Sequence, residues 1–176
     1  VGRVKMILPM LWIAGALAIF TAGGLTGIMV AVAPFDWQVH DTYFIVAHLH
    51  YTLFGGMIFP IIGGVYYFYP FITKKKMSDR LGRWAFWLMF TGLHITFLPM
   101  HLTGLMGMPR RVYTYLPGRD LDLLNMISTI GAFVMAAGVL LFVIDCARRF
   151  RFTVHDDAGN LYNGGTLEWL PTGLYS

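Results

Sequence analysis

His40-Asp41-Thr42-Tyr43-Phe44-Ile45-Val46-Ala47-His48-Leu49-His50-Tyr51 places three of the chain's six histidines and a carboxylate within eleven residues. The residues after it, 52–72, are almost purely apolar. Ionisable side chains beside so long an apolar run are costly and mark functional sites by default. The spacing of His48 and His50 is more specific. Each helical residue turns about 100°, so positions two apart point about 200° apart. The two imidazoles therefore face opposite sides of one helix. They cannot chelate one ion, but each can ligate a separate group. The competing reading is two histidines satisfied by hydrogen bonds inside a bundle. The company of His40 and Asp41 favours ligation.

The rest of the chain sets this stretch in a membrane. Of 176 residues, 57% are hydrophobic and only 12% charged, whereas soluble domains carry about 25% charged residues. Four apolar stretches, 8–33, 43–72, 84–107 and 122–147, reach the roughly 20 residues a bilayer span needs. The expected fold is an all-α membrane protein, with residues 1–149 forming a four-helix transmembrane segment. Residues 150–176 are read as a polar cytoplasmic tail. The first span is too long for a signal-peptide core and has no small-residue cleavage site, so no leader is expected. The single Cys146 excludes an internal disulfide and a Cys-rich metal site within this chain.

The net charge of +4 is a matter of topology, not a nucleic-acid signal. Arg3, Lys5, Lys74, Lys75, Lys76, Arg80, Arg83, Arg148, Arg149 and Arg151 fall on one side, ten of thirteen basic residues. That side is expected to be cytoplasmic, or matrix-facing in a mitochondrion. Both termini lie there, and the His40-Asp41 corner lies outside.

Local signals fill in the helices. Pro9 suits a first turn. Gly23, Gly24 and Gly27 suit close helix packing in lipid. Pro34 is read as ending the first helix and 35–41 as a loop, flanked by interfacial Trp37 and Tyr43. His48 and His50 then lie on the order of 10 Å into the membrane. Gly55, Gly56, Gly63 and Gly64 leave room for neighbours or a planar ligand, and Pro60 is a candidate kink. Tyr66-Tyr67-Phe68-Tyr69-Pro70 reads as an inner aromatic belt. Ser78-Asp79 is a candidate cap for the third span. His94, mid-membrane, has two readings, a residue lining a water or proton path and a hydrogen-bonded core histidine, of which the second is favoured. His101 reads as support for a cofactor edge. Asp145 is expected to pair with Arg149, four residues on.

Gly107-Met108-Pro109-Arg110-Arg111 is the second informative stretch. Two adjacent arginines lie on the side that should be poor in positive charge. The guanidinium fork matches carboxylates. Hemes carry two propionates each and are ligated by histidine. The two stretches together point to two hemes in the bundle, carboxylate edges outward.

These two motifs, with Leu25-Thr26-Gly27-Ile28 and Asp36 in register, resemble subunit I of the heme–copper oxygen reductases, most closely the cytochrome c oxidases. The resemblance runs from the first span to the end of the fourth and corresponds to the last four of twelve helices. It implies that His48 is the proximal ligand of the high-spin, oxygen-binding heme and His50 an axial ligand of the low-spin heme, with heme A the expected type. It implies that His40 and Asp41 hold a non-redox magnesium together with a glutamate of subunit II. Arg110 and Arg111 would hold heme propionates, with Asp36 in the propionate region. The copper B ligands, the cross-linked tyrosine and the second low-spin ligand belong to earlier helices. The implied partners are the amino-terminal part of subunit I, subunit II with its dicopper site, subunit III, cytochrome c and the lipid of a bacterial inner membrane, or of the mitochondrial one. The implied activity is reduction of oxygen to water with proton pumping. Leu49 departs from the family, which usually has Phe there, and puts an aromatic bridge between hemes in doubt. The quinol oxidases are similar too, but usually lack the carboxylate at Asp41. Two other readings compete. A non-catalytic heme-bearing anchor leaves His40-Asp41 unexplained. A transporter with proton-relay histidines leaves the external arginines unexplained.

Overall fold

The computed structural model describes residues 4–73, 75–115, 121–150 and 162, without the side chains of 149 and 150. Among these residues the chain forms six α-helices and one π-helical turn: α1 (Leu8–Ala31), α2 (Ala33–Val39), α3 (Tyr43–Leu53), the π turn (Phe54–Ile58), α4 (Phe59–Thr73), α5 (Asp79–Leu105) and α6 (Leu121–Phe150). Four helical stretches are long and apolar enough to cross a membrane: Leu8–Ala31, Tyr43–Thr73, Asp79–Leu105 and Leu121–Arg148. The tail assigned to 150–176 lies outside the described residues apart from positions 150 and 162. Tyr162 donates to Tyr66 O at 3.0 Å and stacks on Tyr67. Burial, then the charge of Asp79 and the neighbouring Tyr67, pushes its hydroxyl up to about 12.

Trp12 centres the core. Its ring packs on Phe59 at 5.1 Å, on Phe86 at 5.2 Å and on Tyr66 at 6.2 Å, joining α1, α4 and α5. Aromatic contacts of this kind add to the area each ring buries. Glycines let the backbones close. A Cβ at Gly131 would run into Thr96, and one at Gly92 into Met135, so α5 and α6 pack along their length. Gly55 and Gly63 admit Phe20 and Trp12 of α1 and not a ligand, while Gly24 and Gly64 face open space.

Several expectations change. Pro34 does not merely end α1: it sits in the first turn of α2, where its missing N–H is harmless. Most of the expected loop 35–41 is therefore helical. The third span begins at Asp79, five residues before Trp84, because Ser78 Oγ accepts Leu81 N–H at 3.3 Å. The Pro60 disturbance is taken up just ahead of it by the π turn, in which Phe59 N–H reaches back to Phe54 O. Asp145 is 1% exposed and accepts Ser78 N–H at 3.1 Å, tying α6 to the start of α5. Its expected partner Arg149 has a side chain outside the described residues.

Candidate heme and metal sites

α3 carries the two central histidines on different sides. Thr42 caps it, its Oγ1 accepting Phe44 N–H at 3.2 Å. His48 lies against α1: its Nδ1 is 3.0 Å from Gly23 O and 3.1 Å from Thr26 Oγ1. Thr26 donates its own hydroxyl to Gly23 O at 2.8 Å, so it offers Nδ1 an acceptor. A Cβ at Gly27 would sit 2.9 Å from His48 Cε1, so glycine makes the seat for this ring. His50 lies against α5: it stacks on Phe97 with centroids 4.3 Å apart, and its Nδ1 donates to Val46 O at 2.7 Å.

Both rings thus have Nδ1 committed to a carbonyl. That network assigns the proton to Nδ1 and leaves the Nε2 lone pair for a ligand. A carbonyl on the far nitrogen is also what orients metal-ligating histidines and raises their basicity. The donor set therefore fits two separate iron-centred groups, one on each side of α3.

The outer corner brings the two informative stretches together. Tyr43 N–H donates to Met108 O at 3.0 Å and Arg110 N–H to Asp41 O at 2.8 Å, around a bridge between Thr42 and Pro109. α5 ends just before it with Gly107 in the left-handed region (φ 83°) and Met108 N–H returning to Thr103 O. Asp41 (φ 61°) and Arg111 (φ 63°) also lie in that region, which non-glycine residues enter at a cost.

Four side chains converge here. Arg110 Nη2 pairs with Asp41 Oδ1. His40 Nδ1 lies 3.4 Å from the Asp36 carboxylate, and His40 Nε2 lies 4.0 Å from Asp41 Oδ2. A carboxylate on one ring nitrogen, as Asp36 lies on His40 Nδ1, orients the ring and leaves the other nitrogen for a metal. A 4.0 Å gap is within the roughly 4.2 Å that an ion at about 2.1 Å from each atom can bridge. His40 and Asp41 thus fit a partial site for a hard cation. Among the described residues no cluster of three His, Cys, Asp or Glu that could hold a metal is formed. Arg111 is exposed and does not join this cluster.

Two further histidines lie on α5. His94 Nδ1 is 2.7 Å from Tyr51 OH, as a hydrogen-bonded core histidine should be. His101 is buried against Phe44 and Tyr51, with Nδ1 on Phe97 O and Nε2 without a partner. Sequence reasoning missed Phe97, Gly23 and the joined backbones at the corner. The Gly23–Gly27 spacing was a signal for the His48 seat, but nothing in the sequence announces Phe97.

Residues 1–134 match the family model described as cytochrome c and quinol oxidase polypeptide I. The chain is 45% identical to cytochrome c oxidase subunit 1 of Bacillus subtilis over 96% of its own length and 27% of the relative's. It is 41% identical to quinol oxidase subunit 1 of the same organism, over 96% of this chain and 26% of that one. A probable cytochrome c oxidase subunit 1-beta of Nocardia farcinica is 42% identical, over 97% of this chain and 29% of the relative. The chain therefore spans between a quarter and a third of the length of these relatives. Its fold is similar to that in a cryo-EM structure of a heme–copper terminal oxidase dimer, with a TM-score of 0.75 and 22% identity over 84% of this chain and 27% of that one.

Proposed function

The chain belongs to the cytochrome c and quinol oxidase polypeptide I family, and from that premise we propose that it is the carboxyl-terminal part of the catalytic subunit of a terminal respiratory oxidase. The observation that carries this reading is the pair of imidazoles on opposite sides of α3, each with Nδ1 on a carbonyl and Nε2 free to ligate. His48 would hold the high-spin, oxygen-reactive heme through its free Nε2. His50 serves the low-spin heme, with Phe97 stacked on its ring. When bound, these groups supply electron transfer and, with copper B held by residues outside this chain, the reduction of oxygen to water with proton pumping. The chain's own work is to hold and exclude. Gly23 and Thr26 fix the His48 ring, and Val46 and Phe97 fix that of His50.

Arg110 and Arg111 offer guanidinium groups to heme propionates, Arg110 being shared with Asp41. Asp36 orients His40 in the same region. His40 and Asp41 hold a magnesium completed by a residue of a second subunit. The remaining partners are the amino-terminal part of the subunit, a dicopper-bearing subunit II, subunit III and the bacterial inner membrane. The electron donor is cytochrome c, a choice that Asp41 supports. A quinol donor is the second reading, favoured by relatives of nearly equal identity.

Visible spectroscopy of the purified complex tests the heme assignment: two distinct heme components are expected, and a hemeless complex would end it. Oxygen consumption is then measured with reduced cytochrome c and with a reduced quinol. Turnover with cytochrome c alone is the expected result. Turnover with quinol alone would move the chain to the other branch.

A further inference from the structure

The amino-terminal end of α5 carries a feature that the heme reading does not use. Arg80, Arg83, Trp84 and Trp87 fall at i, i+3, i+4 and i+7, so they share one helix face. Together with Asp79 they line a groove of about 440 Å³. The face is open: both arginines are exposed, Trp84 is 60% exposed and Trp87 51%. Among the described residues neither arginine is in an ion pair. The one carboxylate in the groove, Asp79, is held by Lys76 at 2.5 Å. Among the described residues, two guanidinium groups are thus left without a counter-charge, next to two indoles at the end of a membrane-length helix. Further along α5, Ile95, Leu98, Leu102 and Leu105 continue an exposed apolar stripe.

We propose that this groove binds the headgroup of an anionic phospholipid, with the phosphate on Arg80 and Arg83 and an acyl chain laid over Trp84 and Trp87. Each part of the ligand meets matching chemistry. The guanidinium fork suits a phosphate diester, and indoles favour the headgroup level of a bilayer. Juxtamembrane arginines draw anionic lipid, each charge contributing near the surface. A neutral protein surface would not need the unpaired guanidiniums, and a soluble anion would not need the apolar stripe. The site is independent of how the histidines are used.

The test uses the intact complex, stripped of lipid in neutral detergent. Phosphatidylglycerol with brominated acyl chains is titrated in, and phosphatidylcholine with the same chains serves as control. The signal is the tryptophan fluorescence present in the unmodified complex and absent from Trp84→Phe/Trp87→Phe. Phosphatidylglycerol should quench this component at lower concentration than phosphatidylcholine. Arg80→Gln/Arg83→Gln should weaken that preference roughly 30-fold, the effect of removing two surface charges. Arg80→Lys/Arg83→Lys should keep most of it. Inorganic phosphate should not reverse the quenching. Equal quenching by the two lipids overturns the proposal, as does an unchanged preference in the Gln variant. Absence of any quenching of this component means that protein covers the face, and overturns it too. Reversal by inorganic phosphate would make this a free-anion site. If the Gln variant fails to assemble, the two-lipid comparison on the unmodified complex still decides.

Discussion

An imidazole that spends Nδ1 on a carbonyl has one nitrogen left, and its helix decides where that nitrogen points. His48 and His50 are two residues apart on α3, yet one ring is fixed by Gly23 and Thr26 of α1 and the other by Phe97 of α5. They should therefore fail separately. His50→Met is expected to remove or shift the low-spin absorption band and leave the high-spin features in place, and His48→Met to do the reverse. If either replacement erases both signals equally in an assembled complex, the rings do not serve separate groups. Gly27 gives a finer test, since a Cβ there would crowd His48 Cε1 at 2.9 Å. Overpacking of this kind costs about 1–3 kcal/mol and is relieved by moving the neighbour. Gly27→Ala should shift the high-spin band and leave the low-spin band untouched. An unchanged spectrum would mean that α1 does not set the ring's position.

At the level of elements, periodicity and cap chemistry were readable because they are local. Ser78 caps α5 as its residue type suggests, and the apolar windows fall on the four long helices. What local pattern does not carry is tertiary pairing. Residues 35–41 read as a loop because Pro34, Asp36 and Gln38 break the apolar run, yet Pro34 starts a short helix there. Asp145 read as a partner for Arg149, one turn on, whose side chain lies outside the described residues; the contact the local pattern did not announce is with the Ser78 N–H, 67 positions away. That contact ties the inner end of α6 to the first turn of α5. Asp145→Leu should leave a buried donor unmatched and cost about 1–3 kcal/mol. Asp145→Asn keeps an acceptor oxygen and should cost less. Thermal unfolding of the solubilised complex measures the difference, and equal losses in both variants would show that the acceptor is not what matters.

On the scale of the whole molecule, the membrane architecture was legible in composition, and the outer corner was legible only as two unconnected motifs. Nothing in His40-Asp41-Thr42 or Met108-Pro109-Arg110 says that their backbones pair, because such a bridge depends on how α3 and α5 are brought together. Once paired, they place His40, Asp41, Asp36 and Arg110 in one cluster at the membrane edge. That cluster offers a hard cation one imidazole nitrogen and one carboxylate oxygen, with Asp36 orienting the ring and Arg110 holding the other oxygen of Asp41. Magnesium prefers six near-octahedral positions and keeps several waters, so two protein atoms do not close a site. On the reading proposed above, a ligand from another chain would complete it in the assembled complex. Cells grown with manganese should then carry a paramagnetic ion at this corner. Its resonance should change in His40→Ala, where a nitrogen ligand is lost. Asp41→Asn should reduce the manganese retained per complex, while both heme bands stay in place because α3 is unaltered below Thr42. Complex lacking the partner subunit should lose the ion as well. Manganese retained in full by both variants, with an unaltered resonance, would put the ion elsewhere and leave His40 and Asp41 as an ion pair only.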